Sequence, residues 1–103
     1  MAKRSLYQKG KRDANEPEIL EFLRARNVRY TQLAPGDGAD LIVSIHPMEY
    51  WEIKNPAQPE SARALTHCEY ELLDYCTNMH IPYVVVETVD DAAHRINQYF
   101  ERL

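Results

Sequence analysis

Gly38-Ala39-Asp40-Leu41-Ile42-Val43, followed after six residues by Tyr50-Trp51-Glu52-Ile53-Lys54, is the stretch that decides the fold. A short apolar run enters behind a carboxylate, turns at His46-Pro47, and returns through Glu-x-Lys. Successive strand residues point to opposite faces, so Glu52 and Lys54 project together while Ile53 and Trp51 face the other way. Pairing of the two runs as a hairpin brings Asp40 beside Glu52. Two hard oxygen donors next to one ammonium group can hold Mg²⁺ or Mn²⁺ and polarise a water. The same spacing also suits a surface ion pair on an exposed hairpin, and spacing alone does not separate the two.

Working outward, residues 1–12 show no periodic apolar face and are expected to be a flexible basic arm ahead of one domain, 13–103. Asp13 and Asn15 compete as N-cap of a first helix, with Pro17 tolerated in its first turn. Ile19, Leu20, Phe22 and Leu23 have helical period, and the helix is expected to stop near Asn27. Val28 to Leu33 reads as a strand and Ala34-Pro35-Gly36-Asp37-Gly38 as a turn, in which Asp37 serves the turn. Strands are expected over Asp40 to Ile45 and Met48 to Lys54, with Trp51 and Ile53 in the core. A loop, Asn55 to Ala64, contains Pro56 and Pro59. Thr66 caps a helix to Met79 that turns Tyr70, Leu72, Leu73 and Cys76 inward. A strand at Tyr83 to Glu87 precedes a last helix opening at Val89 or Asp90, with Ala93, Ile96, Tyr99 and Phe100 as its apolar side. The expected fold is α/β, in the order αβββαβα. A three-strand meander and a helical crossover place the fourth strand parallel to a neighbour, in a mixed four-stranded sheet flanked by helices.

At 103 residues, 45% of them hydrophobic, the chain can bury one core but has little room for a separate substrate domain. No apolar run approaches the ~18 residues of a membrane span, and Met1 to Leu6 lacks the apolar centre of a signal peptide. A cytoplasmic location is expected. Cys68 and Cys76 are too far apart along one helix to bridge and lack zinc-like spacing to any histidine, so both are expected as reduced, partly buried thiols. The net charge of -4 hides an asymmetry. Residues 1–30 carry eight cations against four carboxylates, and the remainder four against twelve. Lys3, Arg4, Lys9, Lys11 and Arg12 are therefore candidate nucleic-acid-binding residues, since basic segments bind phosphates; a solubilising tail is the other reading.

The ordered set Asn15-Glu16, Gly38-Ala39-Asp40-Leu41-Ile42-Val43, Trp51-Glu52-Ile53-Lys54, Leu65-Thr66 and Val84 to Asp90 resembles the VRR-NUC (virus-type replication-repair nuclease) family within the PD-(D/E)xK nuclease superfamily. The resemblance spans roughly residues 13 to 97. Ala39 stands where the family usually has proline, and Glu69 where it commonly has glutamine. The resemblance implies a restriction-endonuclease-like core and a nuclease domain over 13–103. It further implies a metal-dependent endodeoxyribonuclease acting on branched DNA such as four-way junctions, as a homodimer, in a bacterial cell or a phage-infected host. A nuclease-fold module that binds nucleic acid without cutting it is the alternative.

Asp40 and Glu52 are the expected ligands of Mg²⁺ or Mn²⁺. Lys54 is the group expected at the attacking water or the scissile phosphate, where positive charge stabilises the transition state. By family analogy the carbonyl of Ile53 is a third oxygen donor. Glu16 falls at the family's helix-1 acid and completes the metal shell or complements the helix dipole. Glu69, one turn into the crossover helix, is a possible additional ligand or a solvated carboxylate. Tyr50 lines the cleft or packs.

Overall fold

Leu41–Val43 (β2) and Glu49–Ile53 (β3) pair antiparallel, with Leu41 opposite Trp51 and Val43 opposite Glu49. The structure, a computed structural model, describes residues 13–103; the basic segment 1–12, with its five candidate phosphate contacts, lies outside them. Tyr30–Gln32 (β1) adds antiparallel to β2. Tyr83–Val86 (β4) lies parallel to β3, Trp51 opposite Val84 and Ile53 opposite Val86. The sheet is mixed and ordered β1-β2-β3-β4. Helices Glu16–Ala25 (α1), Glu60–Arg63 (α2), His67–Met79 (α3) and Val89–Glu101 (α4) complete the chain.

Alternation along the strands builds the core. Leu41, Val43, Trp51, Ile53 and Val86 meet Ile19, Leu20 and Leu23 of α1 and Ala92 and Ile96 of α4 on one face. Full burial of a side chain of this size is worth roughly 1.5–3 kcal/mol, so this face dominates stability. A charged pair enters it at Glu49. Glu49 is buried, accepting from Trp51 Nε1 at 2.9 Å and from Arg95 of α4 at 2.7–3.1 Å. The other face carries Glu52, Lys54 and Tyr83 and is partly covered by α3, with Val85 left exposed.

The end of α1 falls near Asn27, as expected, while other boundaries and buried faces differ. α1 ends at Ala25 because Asn27 turns left-handed (φ 58°), letting Asn27 N–H donate to Arg24 O and Val28 N–H to Leu23 O, a Schellman closure. β1, β2 and β3 are shorter than their expected runs at both ends, and β4 starts at Tyr83 as expected but stops at Val86. The segment after Asn55, expected as loop, contains the single turn α2 behind Pro59. α3 does not turn Tyr70 inward. Its sheet-facing line is Glu69, Leu72 and Cys76, one step every three or four residues, which leaves Tyr70 exposed. On α4 the deeply buried alanine is Ala92 rather than Ala93, and Phe100 is largely outside. Cys76 is buried, but Cys68 is exposed; both are free thiols. No helix among the described residues is long and apolar enough to cross a membrane.

Candidate active site

Asp40 sits one residue before β2, where the register sets it across from Glu52. Its N–H donates to Trp51 O at 2.9 Å, and its Oδ2 accepts from Ile53 N–H at 2.7 Å. The carboxylate is thereby clamped at the end of the hairpin. Lys54, one residue past β3, is fixed through its N–H to Val86 O at 3.0 Å. Its Nζ lies 3.3 Å from Glu52 Oε2 and 2.8 Å from Glu69 Oε1. Glu52 is 5% exposed and Lys54 7%, so this charge cluster is largely out of water.

Glu69 has two tasks on one oxygen. Oε1 also accepts from Thr66 N–H at 2.9 Å, while Thr66 Oγ1 accepts from Glu69 N–H, a reciprocal capping box at the start of α3. The helix start and the lysine are thus held to one carboxylate. Gly38 brings the two elements together. It adopts φ +91°, and a β-carbon there would lie 2.8 Å from Leu72 Cβ and 2.9 Å from Cys68 O. Only glycine tolerates both that dihedral and that approach. Tyr83 Oη donates to Gly38 O at 2.6 Å, tying β4 to the same turn. Asn15 joins the other side: its Nδ2 donates to Lys54 O at 3.0 Å and Glu87 O at 2.7 Å. It therefore ties the strand ends to α1 and makes no side-chain cap.

Gly38, Asp40, Glu52, Lys54, Thr66 and Glu69 line a cleft of about 400 Å³, with Asp13 as a further acid in its wall. Acid outnumbers base in it. Burial, then the charges of Asp40 and Glu69, push the Glu52 carboxyl up to about 9 despite Lys54. Asp13 is raised by burial and by Asp40. Burial opposes the charge on Lys54, but the hydrogen bond to Glu69 and the carboxylates of Glu52 and Glu69 hold it above its ordinary range. Tyr83 is raised by burial and by the same carboxylates, so it remains a neutral donor.

The structure brings Asp40, Glu52, Lys54 and Glu69 together. Glu16 does not line the cleft; it is buried, with Oε2 accepting from Gln32 Nε2 at 3.0 Å. The Ile53 side chain is wholly in the core. Tyr50 packs in a separate apolar groove beside Met48, Ile81 and Pro82. Asp37 closes its own turn, accepting from Ala34 N–H. Glu69 is neither solvated nor a spare acid: it is the partner of Lys54. Neither Asp13 as a cleft residue nor Tyr83 as the tie to the Gly38 turn was legible in the sequence. Asp13 reads locally as a helix cap, and Tyr83 reaches Gly38 only through the crossover.

Among the described residues, no three of His, Cys, Asp and Glu close on a common point in the way a preformed metal cage requires. Comparison with protein-family models, with curated proteins and with solved structures returns no match. The chemistry is therefore that of the cleft itself: facing carboxylates, one buried ammonium, and an excess of negative charge.

Proposed function

We propose that this chain is a divalent-metal-dependent phosphodiesterase that cuts nucleic acid, with a restriction-endonuclease-like core of the VRR-NUC type. One observation carries the reading: Asp40 and Glu52 face each other across a hairpin end, with Lys54 between Glu52 and Glu69, in a cleft whose carboxylates are under-compensated. A purely structural pair would need one acid for one base. Burial is the first cause of the raised Glu52 carboxyl, and the surplus charge of Asp40 and Glu69 that adds to it is what a dication relieves.

Asp40 and Glu52, with the Ile53 carbonyl, would hold Mg²⁺ or Mn²⁺. Mg²⁺ commonly takes only one or two protein carboxylates and fills its shell with waters and substrate phosphates, which suits a cleft without a closed cage. The ion supplies Lewis acidity toward a phosphoryl oxygen and a more acidic water. Lys54 donates from Nζ to a non-bridging phosphate oxygen, where charge grows in the transition state. Glu69 orients that ammonium, and its tie to Thr66 keeps α3 in place while it does so. Asp13 adds negative potential at the cleft rim. A homodimer that sets two such clefts across a two-fold axis belongs to the same reading, as does branched DNA as the substrate.

The test is incubation of the protein with labelled four-way, flap and linear DNA, and with RNA of matching sequence, in Mg²⁺, in Mn²⁺ and in chelator. Metal-dependent cutting that favours the four-way form supports the full reading. Binding without cutting in either metal points instead to a non-catalytic nucleic-acid module.

A further inference from the structure

The cleft is acidic, yet its proposed substrate is a polyanion, so phosphate-binding charge must come from elsewhere. Among the described residues, Lys54, Arg63 and Arg95 each sit against a carboxylate. Arg24, Arg26 and Arg29, like Arg102 after α4, have no such ion pair among the described residues. The first three lie where α1 ends and β1 begins.

The guanidinium groups of Arg24 and Arg26 are held by neutral partners, while Arg29 is exposed beside them. Arg24 Nη1 donates to Tyr30 Oη. Arg26 Nη1 donates to Asn97 Oδ1 at 3.0 Å, and its guanidinium stacks 5.7 Å from the Phe22 ring centre and 5.3 Å from that of Phe100. Such contacts fix the planes while leaving charge and further N–H donors outward, the form suited to phosphate recognition. Arg24 and Arg29 are exposed and border a shallow depression with Asn27 and Tyr30. Glu21 and Glu101 are the carboxylates on these two helix ends, and no ion pair joins either to an arginine among the described residues. Complementing the α1 dipole, worth about 0.3–1 kcal/mol per charge, accounts for Arg24 and Arg26. It does not account for Arg29, which lies beyond the helix.

Two elements lead from this patch to the cleft. α1 starts beside the cleft, at Asn15, and ends in the arginines; at ~1.5 Å per residue its ten residues span about 15 Å. β1 starts beside Arg29 and feeds the Ala34–Gly38 turn that walls the cleft. At ~3.4 Å per phosphate along one strand, 15 Å is roughly four base steps of a duplex.

We propose that Arg24, Arg26 and Arg29 form a docking surface for the phosphate backbone of a nucleic-acid duplex whose scissile bond lies in the cleft. The proposal rests on the phosphodiesterase reading. It is tested on the full chain with the double variant Arg24→Gln, Arg29→Gln, which leaves the Arg26 packing alone. Anisotropy of a fluorescein-labelled DNA duplex is followed across a salt series in chelator. The variant is expected to bind about tenfold more weakly or worse, with a salt slope shallower by ~1–2, close to one per lost phosphate contact. Its melting temperature and Mn²⁺ affinity should match those of the wild type. A double variant whose affinity and slope equal those of a wild type that binds DNA overturns the docking surface alone. A wild type that holds no duplex even at low salt overturns both the surface and the nuclease reading.

Discussion

Glu52→Gln should make the metal-free protein more stable, not less. The folded carboxyl is pushed up to about 9 from an ordinary 4.5, in a position only 5% exposed. The sign follows from proton binding. Below pH 4.5 both states hold the proton and the group favours neither. Between 4.5 and 9 the unfolded chain releases it while the fold retains it, so stability falls as pH rises, and the loss flattens above 9. At ~1.36 kcal/mol per unit the loss by pH 8 has an upper bound near 5 kcal/mol. Because Glu52 titrates together with Asp40 and Glu69, the realised loss is a fraction of that bound, on the order of 2 kcal/mol. Glutamine keeps the shape and can still accept from Lys54, without the charge. At roughly 4–8 °C per kcal/mol for a domain of this size, the variant should melt about 10 °C or more above wild type at pH 8 in chelator. The gap should shrink toward zero by pH 5. Saturating Mg²⁺ should narrow or reverse it, because a ligand at about 100 times its Kd adds ~2.7 kcal/mol to wild type alone. Circular-dichroism melts at pH 5, 6.5 and 8, with and without Mg²⁺, read this directly. A variant less stable than wild type at pH 8 in chelator, or a gap independent of pH, refutes the electrostatic account.

Lys54→Ala should reduce cleavage by at least ~10²-fold while leaving duplex binding largely intact, measured by single-turnover assay and anisotropy; strong residual cutting would remove Lys54 from the mechanism. Glu69→Gln can preserve the capping box and should keep the helical signal near wild type, whereas Glu69→Ala should cost about 1–2 kcal/mol in denaturant melts; equal losses in both would mean the charge, not the cap, holds α3. Gly38→Ala should destabilise by roughly 1–3 kcal/mol and weaken Mn²⁺ binding, since α3 or the turn must move; a neutral effect on both would show that the contact with Leu72 and Cys68 relaxes freely. Arg95→Met should cost about 3–5 kcal/mol, because Glu49 is left buried without its partner; urea melts measure it, and a loss under 1 kcal/mol would assign the burial cost to Trp51 instead.

What could be read from the chain, and what could not, divides by range. The hairpin holding Asp40 against Glu52 follows from two-residue alternation and a turn, both local. The parallel β4 follows from a helix-length crossover. Thr66 and Glu69 are spaced as a capping box, but their link to Lys54 depends on where α3 lands on the sheet. Glu49 breaks the apolar alternation of β3, and nothing nearby explains it; Arg95, distant in sequence, does. Glu16 shows the same limit from the other side. As a first-turn acid it suits either a metal shell or a helix dipole, and its burial against Gln32 appears only once β1 is placed. Asp13, one turn earlier, reaches the cleft instead.

Calorimetric titration of Mn²⁺ into the metal-free wild type, Asp40→Asn and Glu52→Gln probes the metal centre without any assumption about the substrate. Saturable binding by the wild type, accompanied by proton release at pH 7 as Glu52 ionises, and lost in both variants, is the predicted result. Binding of equal strength in Asp40→Asn and Glu52→Gln, or none in the wild type, would contradict the assignment of this cleft as a metal centre.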